Sequence, residues 1–162
     1  MNLSEILAIN GKTGLFKLIS KGKNNFIVES LIDRKRTPTF PHDSVSALDN
    51  IAIFTYEEDI PLTEVFKAIY TKENGGKLPE ISKDAEKLKR YFEEVLPNYD
   101  KERVYIQNIK KVLLWYNLLH DENLFDFTEE PEDVEDNTKN EKINKNAETE
   151  IADKIAQENT DI

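Results

Sequence analysis

The sequence predicts an α+β protein: a small SH3- or Sm-like β-barrel, then a three-helix domain, then a disordered acidic tail. Three observations carry this. Short strand-patterned runs separated by Gly- and Asn-containing turns fill residues 1–57. Apolar residues at helical spacing replace them over 58–127. From Thr128 onward aromatic residues vanish and carboxylates accumulate. The predicted units are a barrel domain over 1–57, a helical domain over 58–127 and a tail over 128–162.

In chain order, Leu3, Ile6, Leu7 and Ile9 read as a short helical turn that Asn2 or Ser4 can cap, broken by Gly11 and Gly14. Residues 14–20 and 25–32 read as strands with apolar residues on both faces, which suits a small curved barrel better than a one-sided sheet. Lys21-Gly22-Lys23-Asn24 between them is a hairpin turn, with Gly and Asn able to take positive φ. A turn at Asp33-Arg34-Lys35 leads to a short strand over 36–40. Pro38 has no N–H for a ladder, so that strand is expected at an edge or bulged. Residues 41–50 read as one helical turn with Asp43 or Ser44 as cap and Val45 and Leu48 inward, and 51–56 as a last strand.

Pro61 suits the first turn of a helix carrying Leu62, Val65, Phe66, Ile69 and Tyr70, which Asn74-Gly75-Gly76 stops. Ser82 can cap a second helix whose inner face is Ala85, Leu88, Tyr91, Phe92 and Val95, ended by Pro97. On its outer face Glu86–Arg90 and Lys89–Glu93 are spaced for weak support. The clearest periodicity is that of the third helix: Ile109, Val112, Leu113, Tyr116 and Leu119, with Trp115 in the small core or at the junction of the two domains. The tail cannot bury enough apolar surface to offset about 1–2 kcal/mol of backbone entropy per residue. Ile143, Ala147, Ile151 and Ile155 give it a thin helical stripe for folding on a partner.

Charge is uneven. Residues 1–57 carry seven Lys/Arg and six Asp/Glu, residues 58–127 eleven and fourteen, and residues 128–162 four and twelve. Most of the formal net charge of −10 therefore lies in the last segment, which argues against a bulk electrostatic grip on nucleic acid or membrane but leaves room for a local basic patch. There is no Cys, which excludes disulfides, thiolate zinc sites, iron–sulfur clusters and Cys nucleophiles and fits a reducing compartment. The first nine residues lack a basic start and a long apolar run, so no signal peptide is expected. No apolar stretch approaches the roughly 20 residues that span a bilayer, so a cytoplasmic protein without membrane partners is expected.

Five separated stretches resemble one family: residues 5–9 (EILAI), 28–31 (VESL), 51–55 (IAIFT), 73–77 (ENGGK) and 115–119 (WYNLL). Over about residues 1–127 the chain resembles an uncharacterised bacterial family of domains of unknown function. The resemblance implies an Sm/SH3-like barrel joined to a helical domain, and by fold analogy a role in RNA recognition or regulation. It implies no catalytic residues.

No catalytic centre is legible in the residues either, and no cofactor or metal is expected. Gly11-Lys12-Thr13 resembles the end of a phosphate-binding P-loop, but Ile6 stands where that motif needs its first Gly, and a strand-like segment follows where it needs a helix. Gly11-Lys12-Thr13-Gly14 also matches the two-glycine loop of KH domains, which joins two helices, a context the strand-like residues 15–18 do not give. A tight turn is the simpler reading. His42 and His120 have no second ligand at metal spacing, and a His at a helix end suits the macrodipole.

The basic residues are the best lead. Lys21 and Lys23 sit before the second long strand and Arg34, Lys35 and Arg36 after it, so a run at about 3.3 Å per residue separates them into two clusters. Phe16, Phe26, Phe40 and Tyr56 stack bases only where they are exposed. Lys110 and Lys111 lie on the polar face of the third helix. The expectation is a non-enzymatic nucleic-acid-binding or regulatory module, RNA before DNA, contacting its ligand through Lys21, Lys23, Arg34, Lys35 and Arg36, with the acidic tail competing for that patch. The rival expectation is a protein–protein adaptor, docking through the strand edge at Pro38 or a face around Trp115. The oligomeric state is left open.

Overall fold

The computed structural model of the chain describes residues 2–127, which form one compact unit. The expected acidic tail lies outside the described residues. Five strands make one antiparallel sheet: β1 (Ile6–Ile9), β2 (Phe16–Lys21), β3 (Phe26–Ser30), β4 (Arg36–Pro38) and β5 (Val45–Ala47), in the order β4-β3-β2-β1-β5. A second, two-stranded sheet pairs β6 (Ala52–Ile53) with β7 (Ile60–Pro61). Three helices follow: α1 (Leu62–Lys72), α2 (Ala85–Val95) and α3 (Ile106–Asp121). The α+β class is as expected. The closed barrel is not: β4 and β5 do not pair, and the sheet stays open. Both edge strands have three residues, and Pro38 removes a donor from one of them, so neither can carry the extra ladder that closure needs.

The residues expected to start with a helical turn form β1 instead. Leu3, Ile6, Leu7 and Ile9 satisfy helical spacing, but residues 6–9 gain ladder partners on both sides, Lys17 and Phe16 of β2 and residues 45–47 of β5. Two-sided pairing outweighs the local preference. The Asn2 side chain accepts from the Ser4 N–H at 3.0 Å, making a turn before the strand, not a helix cap. Residues 41–50 also depart from the expected helical turn. Asp43 Oδ2 accepts the Phe40 N–H at 2.8 Å, then β5 and a 3₁₀ turn over Leu48–Asn50 follow. The expected strand over 51–56 shortens to β6, because Thr55 turns the chain by donating its hydroxyl to the Glu58 carbonyl and accepting the Glu57 N–H.

The three helices lie where expected. At the end of α1, Asn74 and Gly75 take φ of 52° and 80°. The cap of α2 is Asp84, two residues after the expected Ser82: Asp84 accepts the Glu86 N–H at 2.9 Å, while Ser82 Oγ accepts the Asp84 N–H before the helix begins. Arg34, in the turn before β4, has φ 63°. In the β2–β3 hairpin, by contrast, Gly22 and Asn24 are not at positive φ, and the Gly22 N–H bonds the Asn25 carbonyl at 2.7 Å.

One core runs through both sequence segments. Leu3, Leu15 and Leu48 from the first share it with Phe66, Ile109 and Tyr116 from the second. The other face of the sheet gathers a small cluster of Leu7, Ile9, Phe16 and Val28, which accounts for the apolar residues on both faces of the strands. Each fully buried Leu, Ile or Phe contributes about 1.5–3 kcal/mol. Exposed ion pairs such as Lys77–Asp121 contribute about 0–1 kcal/mol. The shared core, not surface charge, therefore joins sheet to helices. Among the described residues no helix is long and apolar enough to cross a membrane.

Candidate functional site

The five basic residues singled out in the sequence fall at opposite ends of β3. Lys21 faces Phe26 at its start, whereas Arg36 faces Glu29 near its end. At the far end the charges are answered. Glu29 Oε2 accepts Arg36 Nε at 2.9 Å and Glu29 Oε1 lies 3.8 Å from Arg34, which also donates to Glu122 just past α3. Lys35 Nζ is 3.7 Å from Asp33, whose carboxyl is held below the usual carboxylate range chiefly by the Lys35 backbone N–H. Three cations there meet three carboxylates, so the turn is close to neutral. Lys21 and Lys23 are exposed and make no ion pair among the described residues; Phe26, opposite Lys21, and Phe40 are exposed, and Phe16 is in the core.

A more concave site lies between the sheet and α3. The i, i+3, i+7 spacing of Asn108, Lys111 and Trp115 puts them on one side of α3, next to the buried stripe of Ile109, Val112 and Tyr116. Two open cavities, of about 320 and 480 Å³, meet along Lys111, Trp115 and Ile51. Both volumes lie in the range of ligand sites, about 300–1,000 Å³. The larger is walled by the Gly11–Gly14 loop with Asn10, Ser44 and Ser46. The smaller is mostly apolar, with Ile53, Phe54, Val104 and Tyr105.

Gly14 lets the loop pack closely on Ile32, just after β3, while it lies in ordinary contact with α3. At φ 84°, a Cβ on it would lie 2.5 Å from Ile32 Cδ1 and 3.6 Å from Leu118 Cδ1, so only glycine permits this approach. The loop joins β1 to β2, which is neither the strand-to-helix setting of a P-loop nor the helix-to-helix setting of a KH loop.

The charged residues lining the two cavities are Lys12, Arg103 and Lys111, with no carboxylate among them. Among the described residues Lys12 and Lys111 have no ion-pair partner. Arg103 is partly engaged: Nε donates to Asp100 Oδ2 at 2.8 Å and the guanidinium sits 4.3 Å from the Phe54 ring centroid. That bond, with the N–H groups of residues 102 and 103, holds the Asp100 carboxyl below its ordinary range. Exposed Phe54 and Tyr105 and half-buried Trp115 give the site aromatic faces. Two other cavities differ: one carries Glu80 with Lys87, the other Glu64 and Glu94 with Lys67 and Lys72.

Lys12, Lys111 and Trp115 were noticed in the sequence without being joined into a site. Phe54, Arg103 and Tyr105 were not. One signal was present: residues 106–120 hold Lys110 and Lys111 and no Asp or Glu, so no carboxylate lies one helical turn from Lys111 to pair with it. Among the described residues no group of three or more His, Cys, Asp or Glu is placed to hold a metal ion.

These features define a small α+β protein with an open sheet, one core and a cationic, aromatic groove. The chain belongs to an uncharacterised family of domains of unknown function. Residues 3–48 match the domain of unknown function DUF5606, and residues 51–119 match the domain of unknown function DUF6852. The chain is 46% identical to a structural-genomics target from Bacteroides vulgatus solved by solution NMR, over 81% of this chain and 94% of that one, with a TM-score of 0.64. No curated protein matches the chain.

Proposed function

We propose that the described unit is a non-enzymatic RNA-binding module of a cytoplasmic protein, and that it holds a single strand in the groove between the Gly11–Gly14 loop and α3. One observation carries this reading: the groove's charged lining is wholly cationic, in a described unit whose eighteen Lys/Arg are outnumbered by twenty Asp/Glu. A local cationic cleft in a net acidic body favours an anionic ligand at that place and disfavours indiscriminate binding elsewhere. Aromatic faces in the same groove favour an anion with planar bases. Cavities of a few hundred cubic ångströms accept splayed single-strand nucleotides, not a duplex.

The test is fluorescence anisotropy of a labelled mixed-sequence single-stranded RNA against the full chain at several salt concentrations. Lys12→Glu with Lys111→Glu is expected to weaken binding at least tenfold and to flatten the salt slope by about 1.4, the value for two lost phosphate contacts at about 0.7 each. Lys21→Glu with Lys23→Glu is the comparison. If that pair alone abolishes binding, the contact lies at the β2–β3 hairpin. No binding by the unaltered protein at tens of micromolar and low salt overturns the reading in favour of a protein partner.

A further inference from the structure

We infer that the groove divides its work, seating a strand's phosphate between Lys12 and Lys111 at the Gly11–Gly14 loop and the adjoining base against Trp115. The inference rests on the RNA-binding reading and assigns each part of the nucleotide to a wall. The chemistry of the walls changes along the groove. The loop-end cavity carries the polar and cationic groups Asn10, Lys12, Thr13, Ser44, Ser46 and Lys111 beside apolar Ala8, Ile9 and Leu114. Past Ile51 it is mostly apolar and aromatic, with Ile53, Phe54, Val104 and Val112, and Arg103 stands over the Phe54 ring. Lys111 and Trp115 belong to both cavities, so a cation and an indole stand at the point where the character changes.

A nucleotide has that same division, a charged, strongly accepting phosphate joined to a flat base that gains from leaving water. The two lysines come from different elements, Lys12 from the β1–β2 loop and Lys111 from α3, so an anion between them is approached from two sides. Bare backbone at Gly11, with φ 78° and nothing within 4 Å of a would-be Cβ, leaves room for a phosphate oxygen beside the loop. An isolated phosphate would leave the aromatic half unused, and an uncharged apolar ligand would leave the two lysines of the cavity lining without an anion.

Trp115 is the only tryptophan of the chain, so its emission reports on the point where the two cavities meet. The full-length protein is titrated with an adenylate hexamer and with a hexamer of abasic ribose-phosphate. The adenylate hexamer is expected to quench and shift Trp115 emission. The abasic hexamer is expected to bind at least tenfold more weakly, with the same salt slope and no change in emission. In anisotropy, Trp115→Leu is expected to weaken adenylate binding at least fivefold at unchanged salt slope. Lys12→Ala is expected to flatten that slope by about 0.7, one phosphate contact. Thermal melting checks that both variants fold, and the emission of the unaltered protein stands independently of them. Adenylate binding without any change in Trp115 emission overturns the inference while leaving RNA binding in place. So does equal affinity for the two hexamers. Failure of both hexamers to bind overturns inference and reading together.

Discussion

At the scale of single residues, Arg34 carries two opposed effects. Its φ of 63° is a left-handed conformation that disfavours an L side chain by about 1–2 kcal/mol. Its guanidinium meanwhile bonds Glu122 and approaches Glu29, in pairs exposed enough to be worth about 0–1 kcal/mol each. Arg34→Gly removes both effects and is expected to leave stability within about 1 kcal/mol. Arg34→Ala keeps the strained backbone and loses the pairs, so it should be the less stable of the two by about 1 kcal/mol. Urea denaturation of both variants checks the order. Tyr116 shows the other regime: fully buried, its hydroxyl donates to the Gly76 carbonyl at 2.7 Å, and burial foremost pushes its pKa up to about 12. There a side chain from α3 fixes the backbone of the α1–α2 connection, and Asn117 Oδ1 does the same by accepting the Leu78 N–H at 2.9 Å.

At the scale of elements, legibility followed the length of the pattern. The five inward residues of α3 recur over three turns, too many for another arrangement to satisfy, and the helix stands where the spacing puts it. The four apolar residues at 3, 6, 7 and 9 fit a helical turn and a strand equally, and the decision was made by β2 and β5, which no local pattern contains. The groove was illegible for a related reason. Phe54 and Arg103 lie 49 positions apart and meet only because Thr55 pairs with Tyr99 and the Asp100 N–H bonds the Phe54 carbonyl at 2.9 Å. Caps are local, and Asp84 offers a clean test. Asp84→Ala removes the acceptor of the Glu86 N–H and is expected to cost about 1 kcal/mol. Ser82→Ala, whose hydroxyl lies before the helix, is expected to cost less. Paired denaturation curves separate them.

At the scale of the whole molecule, the organising fact is the shared core. The sequence suggests a barrel domain over 1–57 and a helical domain over 58–127, and composition does change there. The apolar faces of the two segments nevertheless meet in a single cluster. Residues 1–57 expressed alone would expose Leu3, Leu15, Leu31 and Leu48, each at most 6% exposed in the described unit. With about 1.5–3 kcal/mol attached to each such side chain, losing several removes most of a small protein's net stability of about 5–15 kcal/mol. The isolated segment is therefore expected to show the narrow amide proton dispersion of an unfolded chain, and 1–127 the wide dispersion of a folded one. Independent folding of 1–57 would show that the sheet's own small cluster, around Phe16 and Val28, suffices.

The 3₁₀ turn at Leu48–Asn50 has a consequence for inheritance. The two family matches divide at that turn, between residues 48 and 51, yet Leu48 is completely buried in the same cluster as Leu62, and the Leu62 N–H bonds the Ile51 carbonyl at 2.9 Å. A crossover between two related genes at that joint would unite surfaces shaped for different mates. The two segments are thus bound to descend together, and a hybrid gene is viable only where both parents agree on the side chains that face each other across the seam.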